Sequence, residues 1–126
     1  MPVKKIKSSG YLTFLSKKKC VVTGSLQFDI HHESLLREFG GGLKNHNDFQ
    51  ALPLHKDLHL YKRHSLGKEK FWEFYRVNPY DVAINFLSEY IETAPKDIEL
   101  ALFYLNELEN QKDRWEGESV PKFKSL

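Results

Sequence analysis

The chain has 126 residues, 40% hydrophobic and 29% charged, with a net charge of +2, which suits one compact domain. No apolar run approaches the roughly 18–20 residues of a membrane span, and no apolar segment follows the N-terminal lysines, so neither a membrane protein nor a cleaved secretory leader is expected. Cys20 is the single cysteine, which excludes an internal disulfide and a multi-cysteine zinc site and points to a reducing cytoplasm.

Residues 1–19 hold six lysines and no acid, whereas residues 87–118 hold nine acids against Lys96, Lys112 and Arg114. Residues 1–10 read as a flexible basic arm of the kind that neutralises phosphates, or equally as a solubilising tail. Tyr11-Leu12-Thr13-Phe14-Leu15 is a short apolar patch suited to docking on a core. Val21-Val22, the turn Thr23-Gly24-Ser25 and the run Leu26–His32 predict a β-hairpin. Within the second run Leu26, Phe28 and Ile30 alternate with Gln27, Asp29 and His31, a period of about two with one face buried.

A short helix is predicted over 33–39, stopped by Gly40-Gly41-Gly42, whose backbone can approach a ligand closely. Asn45–Gln50 is polar and reads as loop. Pro53 suits the first position of a helix over 54–64, with Gly67 just beyond it. A helical pattern over 69–92 breaks at Asn78-Pro79, and Pro95 can open a second helix with the apolar face Ile98, Leu100, Ala101, Leu102, Tyr104, Leu105 and Leu108. Residues 11–116 would form the domain and 117–126 a frayed tail. The order of elements is α+β, with a C-terminal helical pair that offers a surface for a homodimer.

All six histidines lie between residues 31 and 64, and imidazole serves both as metal ligand and as general base near neutrality. His31 and His32 end a strand and point to opposite faces, so one suits a ligand and the other a base. His55 and His59 are four apart, one face of a helix, with Arg63 on that face to meet a phosphate. His64 lies about 140° around from His59. A ββα finger would bring strand and helix histidines to one ion, which stabilises the charge on a phosphate under attack while a neutral histidine takes a proton from water.

These residues carry a resemblance. Over Tyr11–Tyr90 the chain resembles the phage and prophage branch of the HNH, or His-Me finger, endonucleases, the branch of the Ref-type recombination nucleases. The residues that carry it are Tyr11-Leu12-Thr13-Phe14-Leu15, Cys20-Val21-Val22-Thr23-Gly24, His31-His32 and Gly40-Gly41-Gly42 with Lys44 and Asp48. Pro53-Leu54-His55-Lys56-Asp57-Leu58-His59, then His64, Gly67 and Phe71-Trp72, complete the frame. The resemblance implies a ββα-metal core and a metal-dependent DNA endonuclease, bacterial or phage-encoded and cytoplasmic. It implies His32 as general base, Asp48 as a polar brace, and His31 and His59 as ligands of Mg²⁺, Mn²⁺ or Zn²⁺. The third ligand stands open: helix geometry favours His55 and the family frame favours His64. Lys17, Lys18, Lys19, Lys44 and Arg63 would contact DNA phosphates. Thr23 and His55 stand where the family places zinc cysteines, and Leu58 stands where it places the histidine before His59; only Cys20 and His55 could still bind, so the structural zinc is expected to be lost. The alternative reading is an inactive DNA- or protein-binding descendant of the fold, and beyond it a module in which the histidines only brace a loop.

Overall fold

The computed structural model describes residues 4–33, 35, 36, 45–58, 66 and 68–118. Its elements are β1 (Lys4–Ile6), α1 (Ser9–Leu15), β2 (Asp29–His32), β3 (Asn45–Asn47), a single 3₁₀ turn (Asp48–Gln50), β4 (Ala51–Leu54), α2 (Lys68–Tyr75), α3 (Pro79–Glu92) and α4 (Ile98–Glu118). The fold is mixed α+β. Among the described residues there are two small two-stranded sheets: β1 pairs with β3 in parallel, and β2 pairs with β4 antiparallel.

The hairpin differs from its sequence prediction. β2 pairs with β4, not with Val21-Val22, in the register Asp29↔Leu54, Ile30↔Pro53, His31↔Leu52 and His32↔Ala51. Residues 20–25 form a tight turn instead: Gly24 N–H donates to the Cys20 carbonyl at 2.9 Å and Cys20 N–H to the Ser25 carbonyl at 2.9 Å. Gly24 takes φ +74, the left-handed conformation a glycine adopts without steric cost. Val21 N–H then reaches the Pro53 carbonyl at 3.1 Å, pinning the turn to β4.

Pro53 is accordingly a strand residue rather than a helix start. All four residues of β4 are buried, and helical backbone begins only at Lys56. Burial outweighs the start signal, because Ala51, Leu52, Pro53 and Leu54 form an unbroken apolar run. Asn45–Gln50, which reads as loop, is ordered as β3 and the 3₁₀ turn, with Asn47, Asp48 and Gln50 all buried. Leu35 and Leu36, within the predicted helix over 33–39, are not helical: both N–H groups donate to Gln50 Oε1, at 3.0 and 3.2 Å. Gly40–Gly42 and most of the predicted helix over 54–64 lie outside the described residues. The N-terminal stretch that reads as a flexible arm contributes β1 to a sheet.

The helices follow the sequence more closely. Tyr11 and Leu15 of α1 are fully buried, so the apolar patch does dock on the core. Asn78 caps α3 by accepting from Tyr80 N–H at 2.9 Å, with Pro79 in the first turn. The second helix of the C-terminal pair opens at Ile98, three residues after Pro95, because Pro95 to Asp97 turn the chain first. At that turn Ala94 has φ +54. The core gathers Tyr11, Phe49, Phe71, Trp72, Tyr80, Leu87 and Leu108 with β4, and each such buried side chain contributes about 1.5–3 kcal/mol. Leu100, Leu102 and Phe103 remain exposed on α4. Among the described residues no helix is long and apolar enough to cross a membrane.

Candidate functional site

β2 ends on His31-His32, and alternation along the strand sends their rings to different partners. His32 Nε2 lies 2.8 Å from Asp48 Oδ1, and His31 Nε2 lies 3.3 Å from Glu33 Oε2. Both carboxylates are withdrawn from solvent, Glu33 with 1% and Asp48 with 4% of the side chain exposed. Of the two rings His32 is the more open, 28% exposed against 11% for His31, so His32 is the better placed to reach a substrate.

Each carboxylate is held from a second side. Asp48 Oδ2 accepts the Ser8 backbone N–H at 2.7 Å. Glu33 Oε2 accepts the Trp72 indole N–H at 2.8 Å. A buried charge without such donors costs several kcal/mol, roughly. Glu33 N–H also donates to the Gln50 carbonyl at 3.2 Å, so Gln50 straps the segment after β2 through both its backbone and its side chain. Tyr80 of α3 adds a bond from its hydroxyl to the Leu35 carbonyl at 2.7 Å. Hairpin, 3₁₀ turn and helices therefore meet around the histidine pair.

Asp48, which the resemblance implies as a polar brace, is in contact with His32. Glu33, Trp72, Ser8 and Gln50 carry no assignment from the sequence. Glu33 stands two residues after His31, on the same side of an extended chain, which is the one signal that could have found it. Trp72 and Ser8 come from 39 and 40 residues away from the carboxylates they hold, and no local pattern announces them.

The other end of the hairpin holds Cys20 and His55. His55 is not itself helical and precedes the helical residues Lys56 and Asp57, while His59 lies outside the described residues. It lies roughly 13 Å from Ala51 along the chain at about 3.3 Å per residue, and Ala51 is the partner of His32. His55 is thereby set beside Cys20 and away from His31-His32. Its Nδ1 accepts the Asp57 N–H at 3.1 Å, and its backbone N–H donates to Cys20 Sγ at 3.1 Å. Thr23 N–H approaches the same sulfur at 3.4 Å. Burial pushes the Cys20 thiol up, but the Thr23 hydroxyl and the N–H groups of Thr23, Val22 and His55 outweigh it and hold the thiol below its ordinary value.

Lys17, Lys18 and Lys19 follow α1 and lead into the Cys20 turn. Lys18 pairs with Glu89 at 2.8 Å and sits 4.5 Å above the Phe14 ring. An exposed pair of this kind contributes about 0–1 kcal/mol. Together with Val21, Val82 and Phe86 these lysines line an open cleft. Lys44, His59, Arg63 and His64 lie outside the described residues.

Imidazole and carboxylate are the donors a divalent ion takes. Among the described residues, however, no group of three or more His, Cys, Asp or Glu side chains could hold one. The described part of the site thus supplies at most His31, with Glu33 beside it, and does not fit a complete ion site by itself. No family model, no curated protein and no solved structure matches the chain.

Proposed function

We propose that the protein is a DNA endonuclease of the HNH type, built on a ββα-metal core and hydrolysing phosphodiester bonds with His32 as general base. One observation carries this reading: a partly open imidazole at a strand end, backed by a carboxylate that is itself buried and anchored. Ionised Asp48 can only accept, so it favours the tautomer with hydrogen on Nε2 and leaves the basic lone pair on Nδ1. A base so oriented can take a proton from an attacking water, a contribution of about 10²–10⁴-fold. A divalent ion would take His31 and its remaining ligands from His59 and His64, and would stabilise charge on the phosphate and leaving oxygen. DNA would approach along Lys17, Lys18 and Lys19, with Lys44 and Arg63 contributing further phosphate contacts. The structural zinc of the family would be replaced by the Cys20 turn, whose sulfur is already satisfied by N–H donors.

Cleavage of duplex and single-stranded DNA, with Mg²⁺, Mn²⁺ or Zn²⁺ titrated in, tests the reading. His32→Ala should lower the rate at least about 100-fold. Equal rates for the two proteins would overturn the base assignment. A second reading, a DNA-binding descendant that no longer cuts, draws on the Cys20–His55 end, where constraints on the scaffold have relaxed. DNA binding without an added ion, unchanged in His31→Ala, would favour it.

A further inference from the structure

Ser8 holds Asp48 through its backbone, and Asp97, which lies outside the site described so far, is joined to it through the Ser8 side chain. Ser8 is 4% exposed, and its backbone N–H donates to Asp48 Oδ2 at 2.7 Å. Its hydroxyl donates to Asp97 Oδ2 at 2.5 Å and accepts from Tyr11 N–H at 3.1 Å. Asp97 in turn receives the Tyr90 hydroxyl on Oδ1 at 2.7 Å. The two carboxylates therefore grip one residue, Asp48 by its main chain and Asp97 by its side chain.

This chain of bonds crosses the molecule. Tyr90 belongs to α3, Asp97 to the turn before α4, Ser8 to the entry of α1, and Asp48 to the 3₁₀ turn beside His32. Gly10 makes room for it: a Cβ there would stand 2.6 Å from the Tyr90 hydroxyl oxygen. Any larger residue would push that hydroxyl off Asp97. A helix cap alone needs none of this, since Ser8 Oγ caps α1 by accepting from Tyr11 whether or not Asp97 is present.

We infer that Ser8, held by Asp97, is a positioning residue for His32: it anchors Asp48 so that the carboxylate presents Oδ1 to Nε2–H and selects the His32 tautomer. A carboxylate on a short side chain has two soft torsions, and tying down one oxygen fixes the direction of the other. Asp97 matters because it orients Ser8, whose N–H must point along one line. The inference deepens the reading of His32 as base and rests on it for its catalytic meaning, while the tautomer itself is measurable without any cleavage.

Ring ¹⁵N chemical shifts of the full-length chain, with His32 signals assigned by their loss in His32→Ala, report the tautomer directly. Wild type should show Nε2–H predominant. Asp97→Asn, which leaves the α1 cap intact, should give a mixture, as should Ser8→Ala, whereas Ser8→Thr should restore the wild-type pattern. With Mg²⁺ and duplex DNA, Asp97→Asn should lower kcat about 10-fold at unchanged KM. An unaltered His32 tautomer in folded Asp97→Asn overturns the inference, and this variant decides the matter if Ser8→Ala does not fold. A tautomer that follows Asp97 in a protein that cuts no DNA under any of the three ions upholds the positioning role and overturns the nuclease reading.

Discussion

The two ends of the β2–β4 hairpin hold comparable chemistry in opposite states. At one end His31 and His32 face carboxylates that are buried and held by distant donors, Trp72 and Ser8. At the other, Cys20 and His55 are tied to nearby main-chain N–H groups and to each other. Buried carboxylates are expensive to keep, and a sequence under no demand at that end could replace them with apolar residues at little loss or a gain. A thiol that accepts main-chain N–H groups, from Thr23 in its own turn and from His55, carries no such cost. The first end thus has the marks of a site and the second those of a scaffold.

The largest effect should come from Asp48→Asn. An amide can donate to Nε2 and stabilise the other tautomer, so kcat should fall about 100-fold or more in the DNA cleavage assay. Cys20→Ala should leave cleavage within about 3-fold while lowering stability by about 1–2 kcal/mol in urea unfolding. Equal losses of kcat in the two variants would erase the distinction between the ends.

Trp72→Phe keeps most of the ring and removes the N–H that holds Glu33. Stability should drop by about 1–3 kcal/mol, the cost of leaving a buried acceptor short of a donor. If the loss is near zero, Glu33 does not depend on that bond.

The Cys20 end should announce itself through pH. The folded thiol gives up its proton below the pH at which the unfolded thiol does, so its contribution to stability is present above the unfolded value and is lost as pH falls through the folded one. Unfolding midpoints measured from neutral to alkaline pH should show this rise in wild type and not in Cys20→Ala. The smallest effect lies in the turn between α3 and α4. Ala94 has φ +54, so Ala94→Gly should relieve strain and raise stability by about 0.5–1 kcal/mol, read as a small increase in Tm.

Some of this was legible in the residues alone. The break at Asn78-Pro79, the docking of Tyr11 and Leu15, the C-terminal helical pair and the different partners of His31 and His32 follow from local rules: a cap with a proline behind it, helical spacing of apolar residues, and alternation along a strand. The resemblance implied only a polar brace at Asp48; that it meets His32 could not be read from spacing, since the two are 16 residues apart.

Other features were beyond local reading. Thr23-Gly24-Ser25 looks like a hairpin turn because its flanks are strand formers, but strand pairing is decided by which segment buries best against which. Ala51-Leu52-Pro53-Leu54, wholly apolar, won that competition over Val21-Val22, and the choice displaced Pro53 from a helix start into a strand. Asn45–Gln50 looked like a loop because it is polar. Asp48 and Gln50 are nonetheless buried, with partners in distant segments, Ser8 and His32 for one and Leu35 and Leu36 for the other, and polarity in a sequence cannot reveal such partners.

The residues by themselves therefore determined the α+β class, the helical pair and the concentration of histidines between residues 31 and 64, because these depend on periodicity, capping and composition. Only the tertiary structure decided that His32 stands on Asp48, that His55 sits with Cys20, and that Glu33, Trp72, Ser8 and Asp97 support the histidine pair. Apart from the neighbouring Glu33, those relations are set by closure of the chain across 16 to 89 positions, where burial and hydrogen-bond satisfaction act between segments that carry no mark of each other.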